Sequence, residues 1–275
     1  MRLDTHQHFW NLANPFTTWP TPDLAPIHRD FGPDDLEPLL LNRNIDGTVL
    51  VQAAPSLEET RFCLDLAERM RFVKAVVGWI DFEADDALEQ LASIASNPLL
   101  KGLRPMVQSI TEPGWLLQNS LEPVFREMEK RELRFDALVL SHQLVDLVAF
   151  ADRYPRLAIV LDHAGKAPIA NGSNEGWRRD ITQLARRPSI YCKLSGLWTE
   201  AGEDHSVDMI QPYVDHLLAT FGPDRLMWGS DWPVINLAGT YGGWLSQCEA
   251  MLTALDENQK AAVFGGNGAR FYDID

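Results

Sequence analysis

A chain of 275 residues, 45% apolar and 23% charged, is ordinary globular material and long enough to bury one large core. Its 39 acidic against 24 basic residues give a formal charge of −15, and without a basic stripe to follow a phosphate backbone this argues against nucleic acid as a partner. No apolar run is long enough to span a bilayer, so no membrane partner is expected either. Cys63, Cys192 and Cys248 are far apart, with no C-x-x-C spacing, which indicates neither a disulfide framework nor a cysteine zinc site. Met1-Arg2 leads straight into a strand-like pattern without the apolar region of a signal peptide. The expectation is a cytoplasmic protein, in which the sequon Asn171-Gly172-Ser173 is a surface turn.

The first strand-like run, from Arg2, reads RLDTHQH. Strict alternation puts Asp4, His6 and His8 on one face. Two imidazoles so spaced can tilt toward one ion, or can be two satisfied polar residues near a strand end. A long Pro- and aromatic-bearing insertion, Asn11 to Gly32, follows. The second run, IDGTVLVQA from Ile45, precedes a helical segment from Ser56, in which Ser56 and Glu59 have capping-box spacing and Leu57, Phe62, Leu64 and Leu66 form much of the apolar side. The third, FVKAVVGWI from Phe72, precedes a helix from Asp85. The fourth, LKGLRPM from Leu100, has Lys101 at its start and Arg104 near its end. It leads into an irregular segment, Val107 to Ser120, and a helix from Leu121.

The fifth run, LRFDALVL from Leu133, is followed by His142 and a helix from Gln143. The sixth, LAIVLDHAG from Leu157, ends on Asp162 and His163, with Lys166 just beyond. The seventh, SIYCKLSG from Ser189, places Lys193 and Ser195 on one face and Cys192 on the other, before the loop Trp198 to Ser206 and a helix from Val207. The eighth, LMWGSDWP from Leu226, ends near Asp231. Phe264 to Phe271, though glycine-rich, follows a helix rather than a strand and reads as a turn and final helix.

Strand then helix, eight times without a linker, predicts a (β/α)8 TIM-type barrel, α/β in class, as a single domain over 1–275. The competing doubly wound sheet lacks a Gly-x-Gly-x-x-Gly at its first turn. In a barrel, the loops after the strands rim the face where chemistry occurs. His6, His8, His163 and Asp231 would therefore converge there around a single cation or a single water. No Gly-x-Ser-x-Gly elbow is present, so a serine nucleophile is not indicated.

The segments DTHQHFW, KGLRPM, FDALV, LDHAGKAP, YCKLSGL, FGPDRLMWGSDWPV and VFGGNGARFY together resemble the amidohydrolase superfamily. Within it, they resemble the sugar-lactonase branch, which contains fuconolactonase-like and rhamnonolactonase-like enzymes. The resemblance runs in order along nearly the whole chain and implies a distorted barrel, a hydrolytic reaction, and a site built from His6, His8, His163 and Asp231. Dinuclear members carry a carboxylated lysine at the end of the fourth strand; here Lys101 stands at its start, so a two-metal site is not expected.

What the resemblance implies for cofactors is one divalent metal, zinc, on His6, His8 and Asp231, or metal-independent turnover by the same residues. The partner it implies is a small-molecule sugar lactone. Opening such a cyclic ester needs a nucleophilic water, oxyanion stabilisation and a proton for the leaving oxygen. Asp231 is the expected general base, and His163, with His6 and His8, the polarising group. Arg104, Lys166, Lys193, His142 and Trp115 are the expected substrate contacts, with Trp10, Trp198 and Trp232 as further candidates for an apolar wall. The alternative is a metal-dependent non-oxidative decarboxylase of an unsaturated or aromatic carboxylate, because the superfamily also contains those.

Overall fold

The computed structural model describes residues 1–172 and 174–275. Ser173, the third residue of the sequon, lies outside the described residues; Asn171 and Gly172 are exposed. Eight parallel strands pair in chain order: β1 (Leu3–Gln7), β2 (Gly47–Val51), β3 (Val73–Gly78), β4 (Leu100–Leu103), β5 (Arg134–Ala137), β6 (Ile159–Leu161), β7 (Ile190–Leu194) and β8 (Leu226–Trp228). The ring is nearly closed beyond the end of β8. There the His8 N–H donates to Trp232 O at 2.7 Å and the Asp231 N–H to His6 O at 2.8 Å. This closure sets the first histidine strand beside the segment that carries Asp231.

Around the strands lie α1 (Pro33–Arg43), α2 (Leu57–Arg69), α3 (Ala87–Ile94), α4 (Glu122–Lys130), α5 (Leu144–Arg153), α6 (Glu175–Ala185), α7 (Leu197–Ala201), α8 (Val207–Phe221), α9 (Tyr241–Met251), α10 (Glu257–Ala261) and α11 (Asn267–Tyr272). The barrel expected from eight strand–helix alternations is the fold observed. Two cores result, as barrel geometry requires. Inside, Leu3, Val49, Val51, Ala75, Val77, Val160 and Met227 pack with Phe271 and Tyr272 of α11; the outward strand residues meet the helices. Between β5, α4 and α5, Phe125 is ringed by Phe82, Phe135, Phe150 and Tyr154, with centroids 4.7–5.7 Å away.

Two local expectations change. Asp4 does not share the histidines' face, because the register between β1 and β2 shifts between Asp4 and Gln7. Its carboxylate instead accepts the Ser230 N–H at 2.8 Å. In α2, Ser56 caps the helix by accepting the Glu58 and Glu59 N–H groups, but Glu59 does not return to Ser56 to complete a box. Its carboxylate takes the Ala53 and Ala54 N–H groups just beyond β2, where the ladder leaves backbone donors that a buried strand end must satisfy. The buried side of α2 is accordingly Glu59, Thr60, Cys63, Leu64 and Ala67, while Leu57, Phe62 and Leu66 pack at its edges.

Phe125→Ala removes the centre of the aromatic cluster, and we expect it to cost about 3–5 kcal/mol of unfolding free energy. Urea denaturation of the two proteins checks this, with a lower midpoint and an unchanged slope.

Candidate active site

At the C-terminal mouth of the barrel a cavity of about 410 Å³ is lined by His8, Arg104, His163, Lys166 and Asp231 among its polar residues, and by Trp19, Pro55, Met106, Leu138 and Val234 among its apolar ones. Each long segment after a strand has a part in it. The insertion after β1 supplies Thr18 and Trp19, the segment after β4 supplies Gln108 and Ser109, and the segment after β7 carries Glu200, whose carboxylate holds the Lys166 ammonium at 2.7 Å.

His163 and Asp231 both sit in left-handed backbone, at φ 50° and 57°. β6 ends at Leu161, and His163, Ala164, Gly165 and Lys166 then form a left-handed turn. Such backbone costs a non-glycine residue roughly 1–2 kcal/mol. The turn aims His163 across the barrel mouth toward Asp231, with 3.9 Å between Nε2 and Oδ1. The ring is seated by Ser195, whose Oγ is 2.9 Å from Nδ1. Behind it lies Gly196, where a Cβ would stand 2.7 Å from His163 Cβ.

His6 Nε2 and His8 Nε2 are 3.2 Å apart, and Asp231 Oδ1 lies 3.8 Å from the first and 3.4 Å from the second. Two nitrogens each about 2.1 Å from one ion, at right to tetrahedral angles, stand roughly 3.0–3.4 Å apart. The histidine pair has that separation. His8 Nδ1 lies 2.7 Å from Val51 O; a carbonyl only accepts, so the proton is on Nδ1 and the Nε2 lone pair faces the site. One ligand atom each from His6, His163 and Asp231 also lie within 4.8 Å of one another. The donor set, imidazoles and one carboxylate, suits a divalent cation. It groups His163 with the expected ligands as well as with the catalytic residues.

Beneath this cluster is a buried ionic group. Lys193, fully buried, donates to Asp136 Oδ2 at 2.5 Å and lies 2.9 Å from Asp162 Oδ1 and 3.1 Å from His6 Nδ1. The Tyr272 hydroxyl donates to Asp136 Oδ2 at 2.6 Å. Arg104 Nη2 donates to Gln52 O, and its Nη1 lies 3.3 Å from His6 Nε2 and 3.6 Å from Asp162 Oδ2.

Burial sets the protonation states. It pushes the His163 imidazole down to about 4, and it also lowers His6, assisted by the Lys193 charge. Burial alone would raise Asp231 and Asp162. Contacts with His163, His8 and His6 outweigh burial at Asp231, and the Lys193 ammonium with the His6 contact outweighs it at Asp162, so both carboxyls lie well below the usual range. At neutral pH His6 and His163 are therefore neutral and stand against ionised Asp231 and Asp162.

His6, His8, His163, Asp231 and Arg104 come together as the sequence suggests, and Lys166 lines the same cavity. Lys193 does not line it: the His6 ring lies between, and the ammonium is spent on two buried carboxylates. His142 and Trp115 line a neighbouring groove with Glu112 and Asp146, because the 3-10 turns after β4 and β5 carry them outward. Trp10, Trp198 and Trp232 are packing residues, nearly buried, against Trp19, Trp244 and Phe31 respectively. The tryptophan on the cavity is Trp19, and the insertion that carries it was the available signal. The sequence placed Asp162 at the end of the sixth strand without giving it a role, and nothing local marked Asp136 or its partner Tyr272.

The chain matches the family model described as Amidohydrolase over residues 3–274. It belongs to that family. It is 49% identical to an L-fucono-1,5-lactonase of Burkholderia ambifaria, over 100% of this chain and 96% of that protein. It is 34% identical to an L-fucono-1,5-lactonase of Burkholderia multivorans, with the same shares covered. Among solved structures, a Burkholderia multivorans amidohydrolase with bound zinc superposes with a TM-score of 0.94 at 34% identity, covering 100% of both chains.

In metal-chelated amidohydrolase the His163 ring should titrate near pH 4 by NMR, against about 6.5 for an unfolded chain. The unfolded chain takes up this proton first. The stability that neutral His163 contributes is thus complete above about pH 6.5 and lost as pH falls through 4, with an upper bound of about 3 kcal/mol. A midpoint near 6.5 would show that the ring is not buried as described.

Proposed function

We propose that this amidohydrolase opens a sugar-acid lactone, of the L-fucono-1,5-lactone type, to the open-chain acid. The observation that carries the reading is the 49% identity along the whole chain to an L-fucono-1,5-lactonase. The cavity is consistent with it: the Asp231 carboxylate and the His8 and His163 imidazoles line it together with apolar side chains and with hydroxyl and amide groups, which suits a small polyol ring.

Asp231, ionised among the histidines, takes a proton from the attacking water as its oxygen bonds to the lactone carbonyl carbon. It then returns that proton to the ring oxygen as the carbon–oxygen bond breaks. His163, held by Ser195 and Gly196, faces the developing oxyanion and stabilises it by position rather than by proton transfer. Arg104, fixed by the Gln52 carbonyl, adds positive charge beside His6 Nε2 without needing to reorganise. His6, His8 and Asp231, with His163 beside them, would hold a divalent cation, zinc by analogy with the related structure. When bound, it supplies Lewis-acid polarisation and a more acidic water.

The test is a pH-indicator assay of acid release from L-fucono-1,5-lactone. Wild-type protein should turn it over, and Asp231→Asn, folded by circular dichroism, should lose about 10²–10⁴-fold in kcat. Lactone left intact by wild-type protein, or carbon dioxide release from a carboxylate instead, would overturn the proposal.

A further inference from the structure

The cavity has two basic side chains among its described lining residues, Arg104 and Lys166, and each already has partners. Arg104 is buried, with Nη2 on Gln52 O and Nη1 against His6 and Asp162. Lys166 reaches the cavity from left-handed backbone at φ 47°, but its ammonium is held by Glu200 Oε1 at 2.7 Å. Both partners are only about a quarter exposed, 21% and 26%, so the pair is shielded more than a surface ion pair and screens Lys166 from anything in the cavity. Glu200 is fixed in turn: α7 is hydrogen-bonded to the β7 end through Gly196 O, and the Glu200 carbonyl takes the Ala170 N–H at 3.1 Å. The chain carries −15 overall, which disfavours the approach of anions.

We infer that Glu200 is a specificity residue that, by neutralising Lys166, makes this cavity select uncharged lactones and reject lactones bearing a carboxylate. Glu200 works through Lys166 rather than by touching substrate, so it is a positioning residue. The inference rests on the lactone reading above and adds the charge of the substrate to it. It also bears on turnover, because hydrolysis converts a neutral ring into an anion, and a Lys166 already paired with Glu200 adds little to the hold on that product.

The experiment compares two probes that differ in one group. Galactono-1,4-lactone carries a terminal CH2OH, and galactaro-1,4-lactone a carboxylate in its place. Dissociation constants are measured by calorimetry in the Asp231→Asn background, which leaves both probes intact, with Glu200 present, changed to Gln, or changed to Asp. With Glu200, the anionic probe should bind at least tenfold more weakly than the neutral one. Glu200→Gln should tighten the anionic probe at least fivefold and leave the neutral one within twofold, while Glu200→Asp should keep the original preference. A purely structural role for Glu200 would weaken both probes together. An unchanged ratio in folded Glu200→Gln, or an equal affinity for both probes with Glu200 in place, would overturn the inference. Failure of the lactonase reading shows separately, as the absence of turnover by wild-type protein.

Discussion

A lysine with no solvent contact, clamped between two aspartates inside the barrel, is the constraint on which the site depends. Removing an ammonium from water costs several kcal/mol, and only close opposite charge offsets it. Asp136 on β5 and Asp162 just after β6 supply that charge to Lys193 of β7. The remaining reach of the ammonium is taken by His6 of β1. One ionic group thus ties three adjacent strands to the strand where the barrel closes. Through the Tyr272 hydroxyl it also ties them to the helix that plugs the far end. His6 is held from behind before any ligand arrives.

The second layer is built on strained backbone. His163 and Asp231 occupy left-handed conformations that most residues avoid, and such strain persists where the surroundings over-determine it. Those surroundings are close-packed: Gly196 against the His163 ring, Gly229 against His6 Cβ at a distance where a side chain would collide, and Ser195 on His163 Nδ1. The result is a set of imidazoles around an ionised carboxylate, with ligand atoms of His6, His163 and Asp231 within 4.8 Å of one another, the condition under which charge developing on a substrate meets groups already in place.

Much of this was legible in the sequence. Eight strand–helix alternations specify a barrel through hydrophobic periodicity alone. Once the barrel is assumed, residues at strand C-termini converge, which is why His6, His8, His163, Arg104 and Asp231 could be placed together. The misassigned residues share a physical cause. Asp4 was put on the wrong face because a register shift in β1 breaks the alternation, and a shift of one residue exchanges faces. Lys193 reads as a substrate contact because alternation says only that it points inward, not how deep it lies or that Asp136 and Asp162 will reach it first. His142 and Trp115 lie in loops, whose path periodicity does not encode, and the same ignorance of loop path hid Trp19 and Glu200.

The central claim is that Lys193 and Asp162 act as one buried unit beneath the site. A double-mutant cycle of Lys193→Met and Asp162→Asn, with stability measured by urea denaturation of metal-chelated protein, tests it most directly. The account predicts that the two changes together cost less than their sum, with a coupling energy of about 2 kcal/mol or more. Additivity to within about 0.5 kcal/mol would contradict it, because that is the behaviour of sites that do not interact.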